Sequence, residues 1–580
     1  ILNGDAITDY GNGAFATQYA ADTVATIDAA DRLIKIEPKF FVTTTADTTE
    51  FEFTMSARGT FQINWGDGTY DVIKRTDTTE ETYSHTYNAP GVYTIGMGGY
   101  ATGYSTDQKA AISFHKQGYN SANQLVTITN PTVAGISGSL GAVFPTINDG
   151  GASVIQPLFI RTFAGCASMA GGIPENLFVG VYGAPAYRMF EGVFSGCSKL
   201  SGSIPENLFS GISGTMAFLF YETFNGCGNL SGSIPAGLFA GQNGIPRERM
   251  FCRTFYGCSK LSGSIPADLF AGLQGAPGNY LFWGTFQGCK NLTGSIPENL
   301  FAGIRGEPTA YLFLNTFYGC SGLTGSIPPN LFAGISGAPS GSMFGSTFRG
   351  CSGLTGSIPE KLFAGIHGAP ANGMFAYTFA GCAGLTGNIS ADLFVGISGA
   401  PHVQMFQNTF NGCSGLTGSI PAGLFAGISG APASNMFAAT FQDCSNLSGS
   451  IPGELFAGIS GAPAKNMFSA TFAGCSGLTG SIPGTLFAGI SGAPADNMYS
   501  SVFFYAEGLS GTIPDKLFGN LNGAPAEDMF SLAFHSCWNL EGCIPDGLFG
   551  GIDADLATII ANGMFTNTKV TTKYCSVSDQ

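Results

Sequence analysis

The sequence predicts a multi-domain protein: a small antiparallel β-domain followed by a long right-handed α/β solenoid of 31-residue coils. Three observations predict it. A cysteine-centred motif recurs at a step of 31 residues, broken once by a step of 30. Gly makes up 86 of 580 residues and charged residues only 11%, against a usual ~7% and ~25%. Ahead of the repeat, apolar residues alternate with polar ones as in half-buried strands. A hydrophobic fraction of 44%, with 49 Phe, is too high for a disordered glycine-rich chain. A period near 30 points to stacking, because one coil cannot bury its apolar side chains alone.

In chain order, residues 1–38 include T-V-A-T-I-D-A-A-D-R-L-I-K-I, a stretch open to helix or strand. Residues 39–117 carry the β-domain. There F-E-F-T-M and T-F-Q-I-N-W show period-two patterning, W-G-D-G-T is a tight turn, and T-Y-S-H-T-Y with V-Y-T-I is expected to form a hairpin about Pro90-Gly91. Residues 118–158 hold no full repeat and are expected to link the domain to the solenoid and cap it.

The solenoid occupies residues 159–565, and 566–580 form a C-terminal tail. Its thirteen coils are marked by Cys166, Cys197, Cys227, Cys258, Cys289, Cys320, Cys351, Cys382, Cys413, Cys444, Cys475 and Cys537, with Ala506 at the remaining position. Each coil reads F-x-G-C-S-x-L-T/S-G-S-I-P-x-x-L-F-A-G-I-S-G-A-P-x-x-x-M-F-x-x-T, and Ser390 alone replaces the Pro of Ile-Pro. In the coil of Phe348, L-T-G-S-I-P suits a short parallel strand ending where Pro359 lacks a donor. Pro359 then sits where a helix begins, with Glu360 in its first turn and Leu362, Phe363 and Ile366 on one side. Pro370 opens a second helix, with Met374, Phe375, Thr378 and Phe379 at i, i+1, i+4 and i+5. One short strand and two short helices per coil are therefore expected.

Two resemblances follow from these motifs. Trp65, Gly66, Asp67, Gly68 and Thr69, with His85, Tyr87, Pro90, Gly91, Tyr93 and Ile95, resemble the PKD-type immunoglobulin-like sandwich. The core F-x-G-C-S-x-L-T closed by Ile-Pro is similar to the BspA-like leucine-rich repeats of bacterial and protist surface proteins. The coil is longer than the 20–29 residues typical of leucine-rich repeats, because L-F-A-G-I-S-G-A-P is inserted. The resemblance implies adhesion at a bacterial cell surface.

Net charge is 23 − 38 = −15, which repels nucleic acid and anionic membranes. The longest stretch without Asp, Glu, Lys or Arg, Leu393–Gln442, is interrupted by Gly, Pro, Ser or Asn every few residues, so membrane insertion is not expected. The chain opens at Ile1 with no basic-then-apolar leader, which fits either a chain after signal removal, and so export, or a trimmed sequence.

The Cys column is expected to be a ladder of small buried groups, since no C-x-x-C pair accompanies it. Cys252 lies outside the column. Cys543 and Cys575 are expected to form a disulfide pinning the tail. Asp67 is read as satisfying turn amides rather than holding calcium, and His85 as a strand residue. No metal or cofactor is expected, and no catalytic residue: acids such as Glu206, Asp268, Glu298 and Glu360 fall in the first turn after Ile-Pro, where a helix dipole accounts for them.

The candidate partner-binding residues are those that become large at variable sites of coils three to six: Phe218, Tyr221, Tyr256, Tyr280, Trp283, Tyr311 and Tyr318, with Arg249 and Arg253, and Arg247 and Arg305 nearby. Aromatic residues and Arg are the composition of recognition hot spots. The functional expectation is a non-catalytic extracellular surface protein, structural and adhesive, that self-associates into a layer or appendage through an uncharged surface. The alternative is a monomeric adhesin binding a host or matrix protein or glycan; a glycan-active enzyme ranks last.

Overall fold

The computed structural model describes residues 7–9, 14–17, 24–27, 33–119, 125–128, 132–148 and 154–575. The chain divides into two compact units, Ile1–Leu273 and Gln274–Gln580, a boundary that falls inside the repeat.

In the first unit, β1 (Ile7–Asp9), β2 (Ala14–Thr17), β3 (Val24–Ile27) and β4 (Leu33–Lys35) form an antiparallel meander. T-V-A-T-I and L-I-K are thus strands, while residues 28–32 between them lie outside the described residues. Then come β5 (Phe40–Thr44), β6 (Thr48–Met55), β7 (Arg58–Asn64), β8 (Tyr70–Arg75), β9 (Glu81–Gly91), β10 (Thr94–Gly103) and β11 (Ile112–Ser113). β12 (Lys116–Tyr119) pairs with β13 (Leu125–Ile128), and β14 (Val133–Gly138) precedes the pair β15 (Ile147–Asn148) and β16 (Val154–Ile155).

One antiparallel sheet has the order β14-β5-β10-β7-β8 and a second has β11-β6-β9. Alternation decides which side is buried: Phe51, Phe53 and Met55 of β6 are buried while Glu52 and Thr54 between them are partly exposed. β7 and β8 form the hairpin that W-G-D-G-T closes, with Trp65 N–H donating to Thr69 O at 3.0 Å. The hairpin expected about Pro90-Gly91 does not form. β9 pairs with β6, whereas β10 pairs with β5 and β7, so this turn joins strands of different sheets. Adjacency in sequence gave the wrong partner because the two strands belong to different sheets, β9 lying along β6 and β10 between β5 and β7.

The repeat begins directly on this domain. Ala111 N–H donates to Leu158 O at 2.8 Å and Phe114 N–H to Thr162 O at 2.7 Å, and the Phe114 ring stacks on Phe163 at 5.5 Å. Phe163 stacks on Phe194 in the same way, at 5.7 Å, so Phe114 occupies the place of a preceding coil's Phe. Ala134 O accepts from Ala170, while Gly141 and Thr146 donate to Leu177 and Gly180. The cap therefore draws on 111–114 as well as on 134–146.

The expected helices are absent. Among the described residues the only helical turns are α1 (Leu556–Ile559) and a 3-10 turn at Ala391–Phe394, the latter where Ser390 replaces Pro and its hydroxyl accepts from Asp392 N–H. Each second "helix" is instead a ladder of turns. In the coil of Phe348, the N–H groups of Ser342, Phe344, Ser346, Phe348 and Gly350 donate to carbonyls of the next coil, on Asn372, Met374, Ala376, Thr378 and Ala380. The alternate N–H groups of Met343, Gly345, Thr347, Arg349 and Cys351 bond three residues back. Every fourth residue is left-handed: Ser342, Ser346 and Gly350 have φ of 49, 52 and 71°. The Pro359 segment likewise bonds three residues back, Leu362 to Pro359 and Ile366 to Phe363.

The reason is spacing. Coils joined by strand-like bonds lie about 4.8 Å apart, and a helix is about 10 Å across, so a helix on every coil would force the coils apart. A four-residue turn unit carries the same i, i+4 pattern yet leaves half its N–H groups for the neighbouring coil.

Two parallel bridge columns run through the coils. One is the expected L-T-G-S strand, as in Gly449 with Leu478. The other lies in the inserted I-S-G, as in Gly337 with Ile366, where only a connector was expected. In the last coils they lengthen into strands: β17 (Ser491–Gly492), β19 (Asn520–Gly523) and β21 (Gly551–Ile552) on one side; β18 (Ser510–Thr512), β20 (Asn539–Ile544) and β22 (Lys569–Tyr574) on the other. Residues 569–574 of the expected tail are thus the last strand.

Three columns of Phe fill the coils. In the second unit Phe344, Phe363 and Phe348 stack on Phe375, Phe394 and Phe379 at 5.9, 6.1 and 5.7 Å, nearly parallel and offset as ring quadrupoles favour.

Candidate functional site

The turn ladder explains where the large variable residues fall. Phe218, Arg249, Arg253, Tyr280 and Tyr311 all have left-handed backbone, with φ between 51 and 59°. Later coils place Asn435, Asn466 and Asn497 there, a residue at ease in that region. A bulky side chain in this conformation costs about 1 kcal/mol or more, so each unit holds strained residues at these positions.

Those residues meet one another. In the first unit the Arg249 guanidinium lies 5.1 Å over Phe218, and Phe218 makes edge contacts with Tyr187 at 5.5 Å and Tyr221 at 5.7 Å. Arg253 lies 5.5 Å over Tyr256 and pairs with Glu222 at 3.4 Å. In the second unit Tyr280 stacks on Tyr311 at 4.6 Å and touches Trp283 at 5.5 Å. Tyr318 packs under Arg349, which also covers Tyr377 at 4.5 Å. All nine candidates are half-buried. Arg247 and Arg305 are exposed, Arg305 bonding only Ala302 O. Tyr187, Arg349 and Tyr377 were missed; Arg349 is 31 residues after Tyr318, a signal available to anyone aligning coils.

The Cys column is buried throughout and does more than fill space. Each thiol from Cys320 to Cys475 donates to the carbonyl of a Phe in the preceding coil, as Cys351 to Phe317 O at 3.0 Å and Cys382 to Phe348 O at 2.9 Å. Burial pushes the thiols of Cys413, Cys475 and Cys537 up to about 12 and the others upward as well, so they are protonated and unreactive. The Thr that precedes the repeated Phe in most coils is a buried partner of this row: Thr378 donates to both Phe344 O and Phe375 O, at 3.0 and 2.8 Å. Cys252 is buried apart from the column, and Cys543 is joined to Cys575.

In the β-domain, Asp67 accepts from the N–H and hydroxyl of Thr69 at 2.9 and 2.6 Å and meets His85 at 2.7 Å. The Thr69 hydroxyl, then His85, hold its carboxyl down to about 2. Trp65, His85, Tyr87 and Tyr93 form a continuous run of ring contacts, stacked, edge-on and stacked in turn, with centroids 4.8, 4.7 and 3.7 Å apart. Among the described residues no group of three or more His, Cys, Asp or Glu could hold a metal ion, and no helix is long and apolar enough to cross a membrane. Glu206, Asp268, Glu298 and Glu360 are exposed on turns, not on helices, so the helix-dipole account of them falls away.

No family model, curated protein or solved structure matches the chain. Its function is therefore read from residues and geometry alone.

Proposed function

We propose a non-catalytic extracellular surface protein, structural and adhesive, in which a PKD-like sandwich is joined to a right-handed solenoid related to leucine-rich repeats, and whose copies pack laterally into a layer or appendage. The Trp65–Tyr93 ring contacts and the Asp67 turn support the sandwich reading. The observation that carries the function is the stretch Leu393–Gln442, more than a whole coil long and bordered on the stacked coils by exposed Asp392 and Glu454. Its exposed side chains include Val395, Val403, Ala422, Ala426 and Ser429, and no Asp, Glu, Lys or Arg. Val395 is 68% exposed. Charges normally keep large proteins apart, and small uncharged groups approach with little desolvation cost. Lateral packing is favoured over end-to-end stacking, since carbonyls of the first coil already accept from Ala111 and Phe114.

Sedimentation velocity across concentration and salt tests this. Self-association is expected, abolished by Val395→Glu with Ala426→Glu; a strict 59.9 kDa monomer at high concentration overturns it. The strained aromatic and Arg flank supports the second reading, an adhesin for a protein or glycan. There, Tyr280→Ala, Trp283→Ala and Tyr311→Ala together would abolish attachment of an intact monomer.

A further inference from the structure

The first unit contains a cleft of about 720 Å³, the size of small-molecule sites, which begins where the aromatic flank ends, Arg188 following Tyr187 directly. One wall is the outer face of β6 and β9, presenting Glu52, Thr54 and Thr82, with Glu80 and Lys109 paired at the rim at 3.4 Å. The opposite wall is the start of the repeat, with Arg161 and Arg188. Both arginines are left-handed, at φ 52 and 63°. Both placements belong to the turn ladder, whose left-handed residues recur in the coils that follow.

Two features specify the chemistry. Arg161 and Arg188 converge on one carboxylate, Glu191, which is 1% exposed: Arg188 Nη2 donates to it at 2.7 Å, and Arg161 Nε lies 3.6 Å away. Arg188 grips Glu191 with both Nε and Nη2, so the pair keeps a net positive charge and the forked donors that Glu191 does not take are those of Arg161, the arrangement that grips a second carboxylate. Behind them is His115. Burial, with Arg161 adding to it, holds its imidazole below the ordinary value, so it is neutral at pH 7. Its Nδ1 faces Ala164 O at 3.3 Å and so carries the proton, leaving Nε2 as an acceptor. That Nε2 is buried and has no partner. A buried polar atom left unmatched is costly, a cost that a ligand hydroxyl would recover.

We propose that this cleft binds an acidic sugar residue: a carboxylate on Arg161 and Arg188, and hydroxyls donating to His115 Nε2 and to the carboxylates and hydroxyls of the β6–β9 wall. A simple anion can meet the arginines but is too small to reach the β6–β9 wall as well, and a neutral sugar lacks the partner for the arginines.

Calorimetric titration of the full chain with a tri-galacturonate, the matching neutral galactose trimer and inorganic phosphate tests this. The uronate is expected to bind at least about tenfold more tightly than the neutral trimer, a difference one charge-assisted contact supplies, and phosphate to bind more weakly than the uronate. Arg161→Gln, which leaves Arg188 on Glu191, should reduce the uronate to the level of the neutral trimer. His115→Phe should weaken both sugars, and His115→Gln, which keeps an acceptor, should restore much of the loss; melting curves confirm folding. Equal affinity for the two sugars, binding of phosphate as tight as uronate, or no binding of uronate overturns the proposal. Self-association through the uncharged stretch would be untouched by any of these outcomes.

Discussion

The β-domain and the coils of the second unit solve the same packing problem differently. In the β-domain each buried ring has its own neighbours: Trp65 lies on His85 and Phe53, and Tyr87 on Tyr93. In the coils each ring has the same neighbours above and below, Phe375 touching Phe344, Phe363, Phe394 and Phe406 just as Phe406 touches Phe375, Phe394, Phe425 and Phe437. The first core is specified by partner identity; the second by translation. A repeated frame therefore tolerates change where a side chain faces its equivalent, and not where a backbone does.

The largest test of that difference is at glycine. A Cβ on Gly365 would sit 2.1 Å from Ile335 O, a backbone atom of the adjoining coil, and the same clash recurs at Gly396, Gly427 and Gly458. Gly365→Val should destabilise the second unit by more than about 4 kcal/mol, read as alkylation of Cys351 and Cys382 under native conditions. In the β-domain close approaches are individual rather than repeated: a Cβ on Gly59 or Gly99 would meet Tyr100 O or Thr60 O, at 2.3 and 2.2 Å, whereas Gly68, at φ 93°, has nothing within 4 Å of such a Cβ, and Gly68→Ala should cost only the left-handed strain of about 1 kcal/mol. Equal effects would erase the distinction.

pH separates the regions next. The coil thiols ordinarily ionise near 9.0, and burial raises Cys413, Cys475 and Cys537 to about 12. Their contribution is complete below about pH 9 and is lost as pH rises towards 12, because only the unfolded chain then releases protons. The β-domain phenols Tyr87 and Tyr104 start from 10.0 and are also raised by burial, so its alkaline loss begins later. At the acid end the sign reverses: Asp67, lowered from 3.8 to about 2, contributes fully above about pH 4, and that contribution is lost as pH falls towards 2. Iodoacetamide labelling of the thiols should rise above pH 9 before Trp65 emission changes, in a chain carrying Trp283→Phe and Trp538→Phe. Below pH 4 Trp65 should respond first. The reverse order would contradict the assignment.

The smallest effect has opposite signs in the two regions. Tyr499 stands in a Phe column, stacked between Phe468 and Phe530, and its hydroxyl is buried without a partner. Tyr87 OH donates to Trp65 O at 2.9 Å. Tyr499→Phe should stabilise by about 1 kcal/mol and Tyr87→Phe destabilise by about as much, as thermal melts would show.

Much of this was legible in the residues. The coil period, the buried Cys row, and the apolar positions Leu354, Ile358, Leu362, Phe363, Ile366, Met374 and Phe375 all follow from the recurring motif, and each is buried. The cleft was not legible. Its Glu52 and Thr54 alternate on a strand, while Arg161 and Arg188 are separated from them by more than a hundred residues; only the placement of the first coils against β6 and β9 brings them together.

The sequence by itself determined that the chain stacks, at what step, and which side chains face inward, because burial depends on periodicity alone. It did not decide what backbone carries that period. Met374, Phe375, Thr378 and Phe379 fit a helix and a four-residue turn ladder equally well, and the choice lies with N–H groups that have no side-chain signature. Only when one coil lies against the next do carbonyls such as Met374 O become available to Phe344 N–H, and a spacing too narrow for a helix then selects the ladder.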